Sequence, residues 1–167
     1  MRAVRQGQVQ TTAGRLIYLE FWGGFVQYLA EAKLPIRQRK PQPQHWYDVA
    51  IGKSGVHVSL TVRLRDEDIG TELYIGTTEA KRIFLELQRD RTVIEGDLGA
   101  HAEWLELPEG KASRIVVRNR IPIADRERWP EAFEWFGRMA QKFREVFAPR
   151  VRRLLEAADG SAERNGD

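Results

Sequence analysis

Residues 46–75 read WYDVAIGKSGVHVSLTVRLRDEDIGTELYI, and this stretch decides the fold class. Residues 56–64 alternate strictly between apolar and polar side chains, which is the period of a strand with one buried face. The run GKSG at 52–55 and the acidic run DED at 66–68 have the composition of turns on either side of that strand. We therefore predict three hairpin-linked strands in an antiparallel meander that has one polar face.

A helix is predicted before these strands. Apolar residues recur at three- and four-residue spacing over 16–32, which favours a helix with a wide apolar surface. Gly23 and Gly24 lie in its middle, where each costs about 1 kcal/mol relative to alanine. Their presence predicts either a kink or another backbone packed closely against them.

Two more helices are predicted after the strands. One covers 80–98 and ends at Gly99, a residue type that commonly terminates helices. The other begins at Trp129, where Pro130 occupies the first turn, and is predicted to kink or break at Pro149. A separate short helix is then expected at 150–158.

Two short strands are predicted between those helices, at 101–107 and 113–118. The element order is then α-βββ-α-ββ-α, which predicts an α+β fold with an antiparallel sheet of about five strands and helices on one face. We expect a disordered N-terminus at 1–11, a single α+β domain at 12–158 and a disordered tail at 159–167.

Composition excludes several classes of protein. The 167 residues fit one domain, and the absence of cysteine excludes disulfide scaffolds, thiol nucleophiles and Cys-ligated metal centres. No apolar run approaches the roughly 20 residues of a membrane-spanning helix, and the first ten residues lack the apolar region of a signal peptide. We expect a cytoplasmic protein with no membrane partner.

The net charge of +3 conceals an uneven distribution. Residues 1–43 carry seven basic and two acidic groups, whereas residues 44–136 carry thirteen basic and seventeen acidic groups. Residues 137–155 carry six basic groups and one acidic group, and residues 156–167 carry one basic and four acidic groups. If the fold brings the two basic segments together, they form a patch that could hold a polyanion.

The stretch RQRKPQPQHWY at 37–47 is the strongest candidate for binding, because it mixes cations, glutamines and aromatic rings. Cations can contact phosphate, and aromatic rings can stack on bases. The predicted phosphate contacts are Arg37, Arg39, Lys40 and Lys53. The predicted stacking partners are Trp46, Tyr47 and Tyr74, and the adjoining polar residues are His45, His57 and Arg63. The alternative is that Trp46 and Tyr47 enter the core while the basic loop is merely solvated.

A metal-dependent hydrolase around His45, Asp48 and His57 is a further hypothesis, since catalytic zinc takes three convergent side chains. A histidine on a polar sheet face and an aspartate that closes a loop explain these residues without metal. We predict no metal, no cofactor and no catalytic residues.

Nuclease and nucleotide-hydrolase motifs give no support to catalysis. The Glu-x-Lys pattern of magnesium nucleases occurs three times, on predicted helices or in a turn and never on a strand. Phosphate-binding glycine loops and the GxSxG elbow are absent from the sequence.

Five segments follow one another in order along the chain, namely LEFW at 19–22, RKPQPQHWYDVAIGKSG at 39–55, ELYI at 72–75, KASRI at 111–115 and WP at 129–130. In these segments the sequence resembles the domain of unknown function 4268 family, and the resemblance extends from about Leu16 to Leu155. The resemblance implies an accessory role near nucleic acid, because such domains often follow regions similar to PD-(D/E)XK nucleases in longer prokaryotic proteins. It carries over no catalytic residues.

The leading hypothesis is a non-catalytic module that binds DNA or RNA, or that tethers a nuclease partner to nucleic acid. The alternative from another class is a homodimerisation or partner-docking domain that uses the polar sheet face and its exposed aromatics.

Overall fold

The computed structural model describes residues 12–164, including the side chains of residues 12–160. The predicted disordered N-terminus at 1–11 lies outside the described residues, as do residues 165–167. The elements follow in the order α1 (Thr12–Ala32), β1 (Trp46–Lys53), β2 (Val56–Arg63), β3 (Asp68–Ile75), α2 (Ala80–Arg89), α3 (Arg91–Leu98), β4 (Glu103–Leu105), β5 (Ser113–Asn119), a 3-10 turn (Arg126–Arg128) and α4 (Trp129–Arg164).

The five strands form one open antiparallel sheet in the order β1-β2-β3-β5-β4. Each neighbouring pair is antiparallel, and the first three strands form the predicted meander. The α+β class and the antiparallel sheet of five strands are therefore confirmed.

The helices bury their apolar sides against one face of this sheet. Trp22 and Phe25 of α1 lie fully buried beside Phe136 of α4, with ring centroids 5.7 and 6.0 Å from the Phe136 ring. Tyr47 of β1 joins them, with its centroid 5.4 Å from that of Trp22. This aromatic cluster fixes α1, and hence the loop that follows α1, against the first strand.

The two glycines of α1 differ in their surroundings. A Cβ atom at Gly24 would lie 2.8 Å from Cζ of Phe133 on α4, whereas a Cβ at Gly23 would meet nothing within 4 Å. The predicted close approach therefore occurs at Gly24, and the neighbour is a side chain rather than a backbone.

The unbroken helix predicted for 80–98 is wrong, because α2 ends at Arg89 and α3 begins at Arg91. Leu87 and Ile94 are buried on either side of the break. These two residues are seven positions apart, which keeps them on one helical face, so the periodicity carries no sign of the break. Gly99 ends α3 in the left-handed conformation, as predicted.

The break predicted at Pro149 is also wrong, since α4 runs continuously from Trp129 to Arg164. Pro149 is exposed, while Phe147 and Val151 on either side of it are fully buried. Core contacts on both sides of the proline hold the helix together despite the missing backbone hydrogen bond. The separate helix predicted at 150–158 is thus part of α4, and residues 159–164 of the predicted tail continue it.

Strand β4 is shorter than the predicted strand at 101–107 because the neighbouring backbone groups have other partners. The Nζ atom of Lys81 donates to the carbonyl oxygens of Glu106 at 2.5 Å and Leu107 at 2.7 Å. The backbone amide of Ala102 donates to Oε1 of Glu95 at 2.8 Å. Only three residues remain free to pair with β5.

None of the helices in the described part of the chain combines the length and the apolar character that crossing a bilayer would require.

Candidate functional site

The face of the sheet opposite the helices carries the polar side chains of the strands. The cross-strand register arranges them in rows, of which three matter for the site. The rows are Trp46, Thr61, Gly70 and Arg118; Asp48, Ser59, Glu72 and Val116; and Ala50, His57, Tyr74 and Arg114. Residues from four strands thus meet on one surface, which we call the open face.

A cavity of about 370 Å³, the sheet-face cavity, lies on the open face. Its lining combines carboxyl groups, hydroxyl groups and rings with one arginine. The lining residues are His45, Trp46, Asp48, His57, Ser59, Thr61, Glu72, Tyr74 and Arg114.

Asp48 and His57 form a polar pair inside this cavity, with Oδ1 of Asp48 3.4 Å from Nε2 of His57. Burial by itself would raise the pKa of Asp48, but hydrogen bonds from His57 and Ser59 outweigh it, so the pKa is lowered. About a third of each side chain stays exposed, at 32%. Asp48 is therefore a charged acceptor that a ligand can reach.

Glu72 lies beside this pair and behaves in the opposite way. The residue is only 6% exposed, and burial raises its pKa although the charges of Arg114 and Arg118 act against that rise. Its Oε1 atom lies 3.9 Å from Nη1 of Arg114. Two carboxyl groups in one cavity thus have pKa values displaced in opposite directions by their surroundings.

His45 lines the same cavity as Asp48 and His57. Strand β1 begins at Trp46, so His45 precedes the strand and strand alternation does not determine its direction. Burial, with a contribution from the charge of Arg114, lowers the pKa of His45. Nevertheless, no group of three or more metal-ligating side chains in the described part of the chain is arranged to hold a metal ion. The hydrolase hypothesis gains no support from the geometry.

Tyr74 is sandwiched within its row. The His57 ring stacks on it with centroids 4.9 Å apart and planes 23° apart, and the guanidinium of Arg114 lies 5.5 Å from its centroid. Strands β2 and β5 flank β3 on opposite sides, so these two groups approach the Tyr74 ring from opposite sides. Its faces are occupied, which limits Tyr74 to edge and hydroxyl contacts instead of the predicted base stacking.

A second cavity of about 450 Å³, the loop cavity, lies under the segment that joins α1 to β1. Its lining is rich in cations and amides. The lining residues are Arg37, Gln38, Arg39, Lys40, Gln42, Gln44, Trp46, Tyr47 and Asp48.

The core holds the loop cavity in shape. The indole Nε1 of the buried Trp22 donates to the carbonyl oxygen of Gln44 at 2.7 Å, and the backbone amide of Arg39 donates to the hydroxyl of Tyr47 at 2.7 Å. Tyr47 is only 4% exposed, so its ring belongs to the core and is not accessible for the predicted stacking on a base. Its place in the site is to position the loop.

The remaining predicted contacts lie outside both cavities. Lys53 is half-buried at the end of β1. Arg63 forms a double hydrogen bond with Asp68, in which its Nε atom lies 2.7 Å from Oδ1. Of the predicted residues, the structure brings together Arg37, Arg39, Lys40, Trp46 and the mostly buried Tyr47 in one cavity. It brings together His45, Trp46, His57 and Tyr74 in the other.

Glu72, Arg114, Ser59 and Thr61 belong to the site, but the sequence reasoning did not select them. The alternation in β2 and β3 already assigned Ser59, Thr61 and Glu72 to the polar face, and that signal could have identified them. Arg114 required knowledge that β5 pairs with β3, and no local pattern encodes that pairing.

The comparisons with known proteins give one match. A family model described as "Domain of unknown function (DUF4268)" matches residues 17–151 of this chain. Neither the curated proteins nor the solved structures contain a match.

Proposed function

Since the chain belongs to the DUF4268 family over most of its length, and that description names no activity, we propose from the geometry of the site that it is a non-catalytic module that binds single-stranded nucleic acid. The family resemblance adds the expectation of an accessory role beside a nuclease.

The observation that carries this proposal is that the two cavities adjoin, since Trp46 and Asp48 line both of them. The loop cavity offers three cations, and the sheet-face cavity offers polar groups and ring edges. A nucleotide has the same division, with an anionic phosphate at one end and a planar, hydrogen-bonding base at the other. Both volumes fall within the range of about 300–1,000 Å³ that is usual for ligand sites.

The distribution of ion pairs favours phosphate binding at the loop. On the open face, Arg114 lies near Glu72, and Nε of Arg118 lies 3.1 Å from Oε1 of Glu103. Within the described residues, the side chains of Arg37 and Lys40 make no such ion pair. Cations without a protein partner are the ones that phosphate can neutralise at least cost.

Exposed aromatic surface favours a single strand over a duplex. Trp46 is 37% exposed at the boundary between the cavities, and its indole can stack on a base only where that base is not paired and stacked in a duplex. Three loop cations with one stacking ring match the pattern of single-strand binding sites, which combine a charged groove with aromatic platforms.

The test is fluorescence anisotropy with a labelled uridine decamer and a labelled thymidine decamer at 50 and 200 mM salt. Three phosphate contacts predict that the fourfold rise in salt weakens binding about 20-fold, from a slope of about −0.7 per phosphate. The variant W46A should weaken binding about 5- to 150-fold, which corresponds to about 1–3 kcal/mol per stacked base.

Two triple variants with equal charge changes locate the contact. R37Q/R39Q/K40Q removes the loop cations, whereas R89Q/R152Q/R153Q removes three exposed cations from α2 and α4 on the other side of the sheet. We expect the loop variant to lose most of the affinity and of the salt slope, and the helix variant to retain both. Equal losses in the two variants, or no binding at 50 mM salt, would contradict the proposal.

A partner-docking role is the second candidate, because the helices among residues 12–164 pack on the opposite face of the sheet and Trp46 is partly exposed on the open face. Light scattering of the wild-type chain and of W46E distinguishes the two functions. Only the docking function predicts an assembly that W46E dissociates.

A further inference from the structure

The hydrogen-bonding groups of the sheet-face cavity determine which base it can accept. Asp48 is the accessible carboxylate, since 32% of its side chain is exposed, compared with 8% for Glu72. Glu72 lies against Arg114, whereas Asp48 accepts from His57 and Ser59. A carboxylate has about four lone-pair positions, so about two remain on Asp48, which lines the cavity.

Trp46 and Asp48 have the same side-chain direction on β1 because they are two residues apart on one strand. A base stacked on the Trp46 indole therefore has the Asp48 carboxylate beside its edge. The two residues line both cavities, so the phosphate of the same nucleotide lies toward the loop cations.

Among the common bases, guanine alone presents two adjacent N–H donors on its Watson–Crick edge, at N1 and N2. Two parallel hydrogen bonds match the two oxygens of a carboxylate. Adenine and cytosine place a ring-nitrogen acceptor beside their amino group, and uracil places carbonyl oxygens on both sides of its N–H. An acceptor next to a carboxylate is electrostatically unfavourable.

We propose that the sheet-face cavity is a guanine subsite, in which Trp46 stacks on the base and the carboxylate of Asp48 accepts from N1–H and N2–H. The inference rests on the proposed function, because it assigns the base specificity of the same nucleic-acid site. It adds a sequence preference to binding that phosphate contacts alone would leave nonspecific.

The experiment compares a uridine decamer with the same decamer carrying one central guanosine, each in its ribose and deoxyribose form. The guanosine should tighten binding about tenfold, within the discrimination that a good bidentate contact provides. N1-methylguanosine at that position blocks one donor and should remove the gain without any change in the protein. The variant D48N should bind the two decamers with equal affinity, because an amide has only one acceptor oxygen and cannot accept both hydrogen bonds from guanine.

The outcomes separate this inference from the proposed function. Salt-dependent binding of the uridine decamer with no gain from guanosine overturns the guanine subsite and leaves the proposed function intact. A gain that survives N1-methylation or D48N also overturns it. Guanosine monophosphate bound by the wild type but not by D48N, with no binding of either decamer, supports the subsite for a free nucleotide and overturns the proposed function. The absence of binding by any probe overturns both.

Discussion

Asp48 and Glu72 lie on either side of Ser59 in one cross-strand row, and the fold shifts the pKa values of the two carboxyl groups in opposite directions. Hydrogen bonds from His57 and Ser59 keep Asp48 ionised, whereas burial favours the protonated form of Glu72. The lowered pKa of Asp48 means that its contribution to stability is present above the pKa of an unfolded aspartate, near 3.9, and is lost as the pH falls through the folded value. The raised pKa of Glu72 means that its contribution to stability is present at low pH and is lost as the pH rises through the folded value.

The variant E72Q tests that consequence. A folded pKa above the unfolded value of about 4.3 favours folding when the group is protonated, and this contribution is lost as the pH rises through the folded pKa. Glutamine cannot ionise. The free energy of unfolding of E72Q, taken relative to that of the wild type, should therefore be higher at pH 7 than at pH 4. Urea denaturation at both pH values measures the two differences.

The matched control for E72Q is E103Q, which removes a half-exposed carboxylate from the same face. Its free energy of unfolding should differ from that of the wild type by less than about 1 kcal/mol at either pH, as for other exposed ion pairs. If E72Q is destabilised more at pH 7 than at pH 4, the ion pair with Arg114 outweighs burial and our account of Glu72 is wrong.

Within α1, the adjacent glycines provide a matched pair of substitutions. G23A adds a methyl group in open space and should stabilise the protein by up to about 1 kcal/mol through helix propensity. G24A places the methyl group 2.8 Å from Phe133, whose ring is held by Phe21 at 5.0 Å and Phe25 at 6.0 Å. Overpacking of this kind typically costs about 1–3 kcal/mol.

Thermal denaturation of the two variants checks this difference. G23A should melt above the wild type and G24A below it. Equal melting temperatures for the two variants would show that the Phe133 ring moves aside freely and that α4 does not fix the position of α1 through this contact.

How far the sequence predicts each element depends on whether its signal is local. The strict alternation over 56–64 predicted strand β2 and the polar face, and Gly99 predicted the end of α3. The break at Asp90 left no trace in the periodicity, and contacts distant in sequence preserve α4 at Pro149. The site followed the same rule. Arg37, Arg39 and Lys40 were visible in the local composition, whereas Arg114 entered through the pairing of β3 with β5.

At the scale of the whole molecule, cations from the two basic segments of the sequence, 1–43 and 137–155, have different roles in the fold. The chain after α1 returns to α4, where a Cβ atom at Gly137 would lie 2.7 Å from a methyl group of Leu34. Farther along α4, Nζ of Lys142 donates to the carbonyl oxygen of Leu98 at 3.4 Å, and Arg150 lies 3.4 Å from Asp97. Those two α4 cations therefore hold α3, and the loop cations provide the charge that the proposed site uses.

Ligand binding confined to the folded chain must raise the stability of the whole domain. A thymidine decamer at 100 times its dissociation constant should stabilise the fold by about 2.7 kcal/mol, which corresponds to about 5–10 °C in melting temperature for a chain of this size. Differential scanning fluorimetry at low salt measures that shift. At the same decamer concentration, R37Q/R39Q/K40Q should show little of this shift, and R89Q/R152Q/R153Q should show the full shift.

The loop is anchored to the core through Trp22 and Tyr47, so a ligand in the loop cavity stabilises the folded arrangement of α1 and β1 together. A saturating decamer that leaves the melting temperature unchanged would mean that it binds folded and unfolded chains alike, as expected for nonspecific attraction to arginine-rich segments and not for a preformed site.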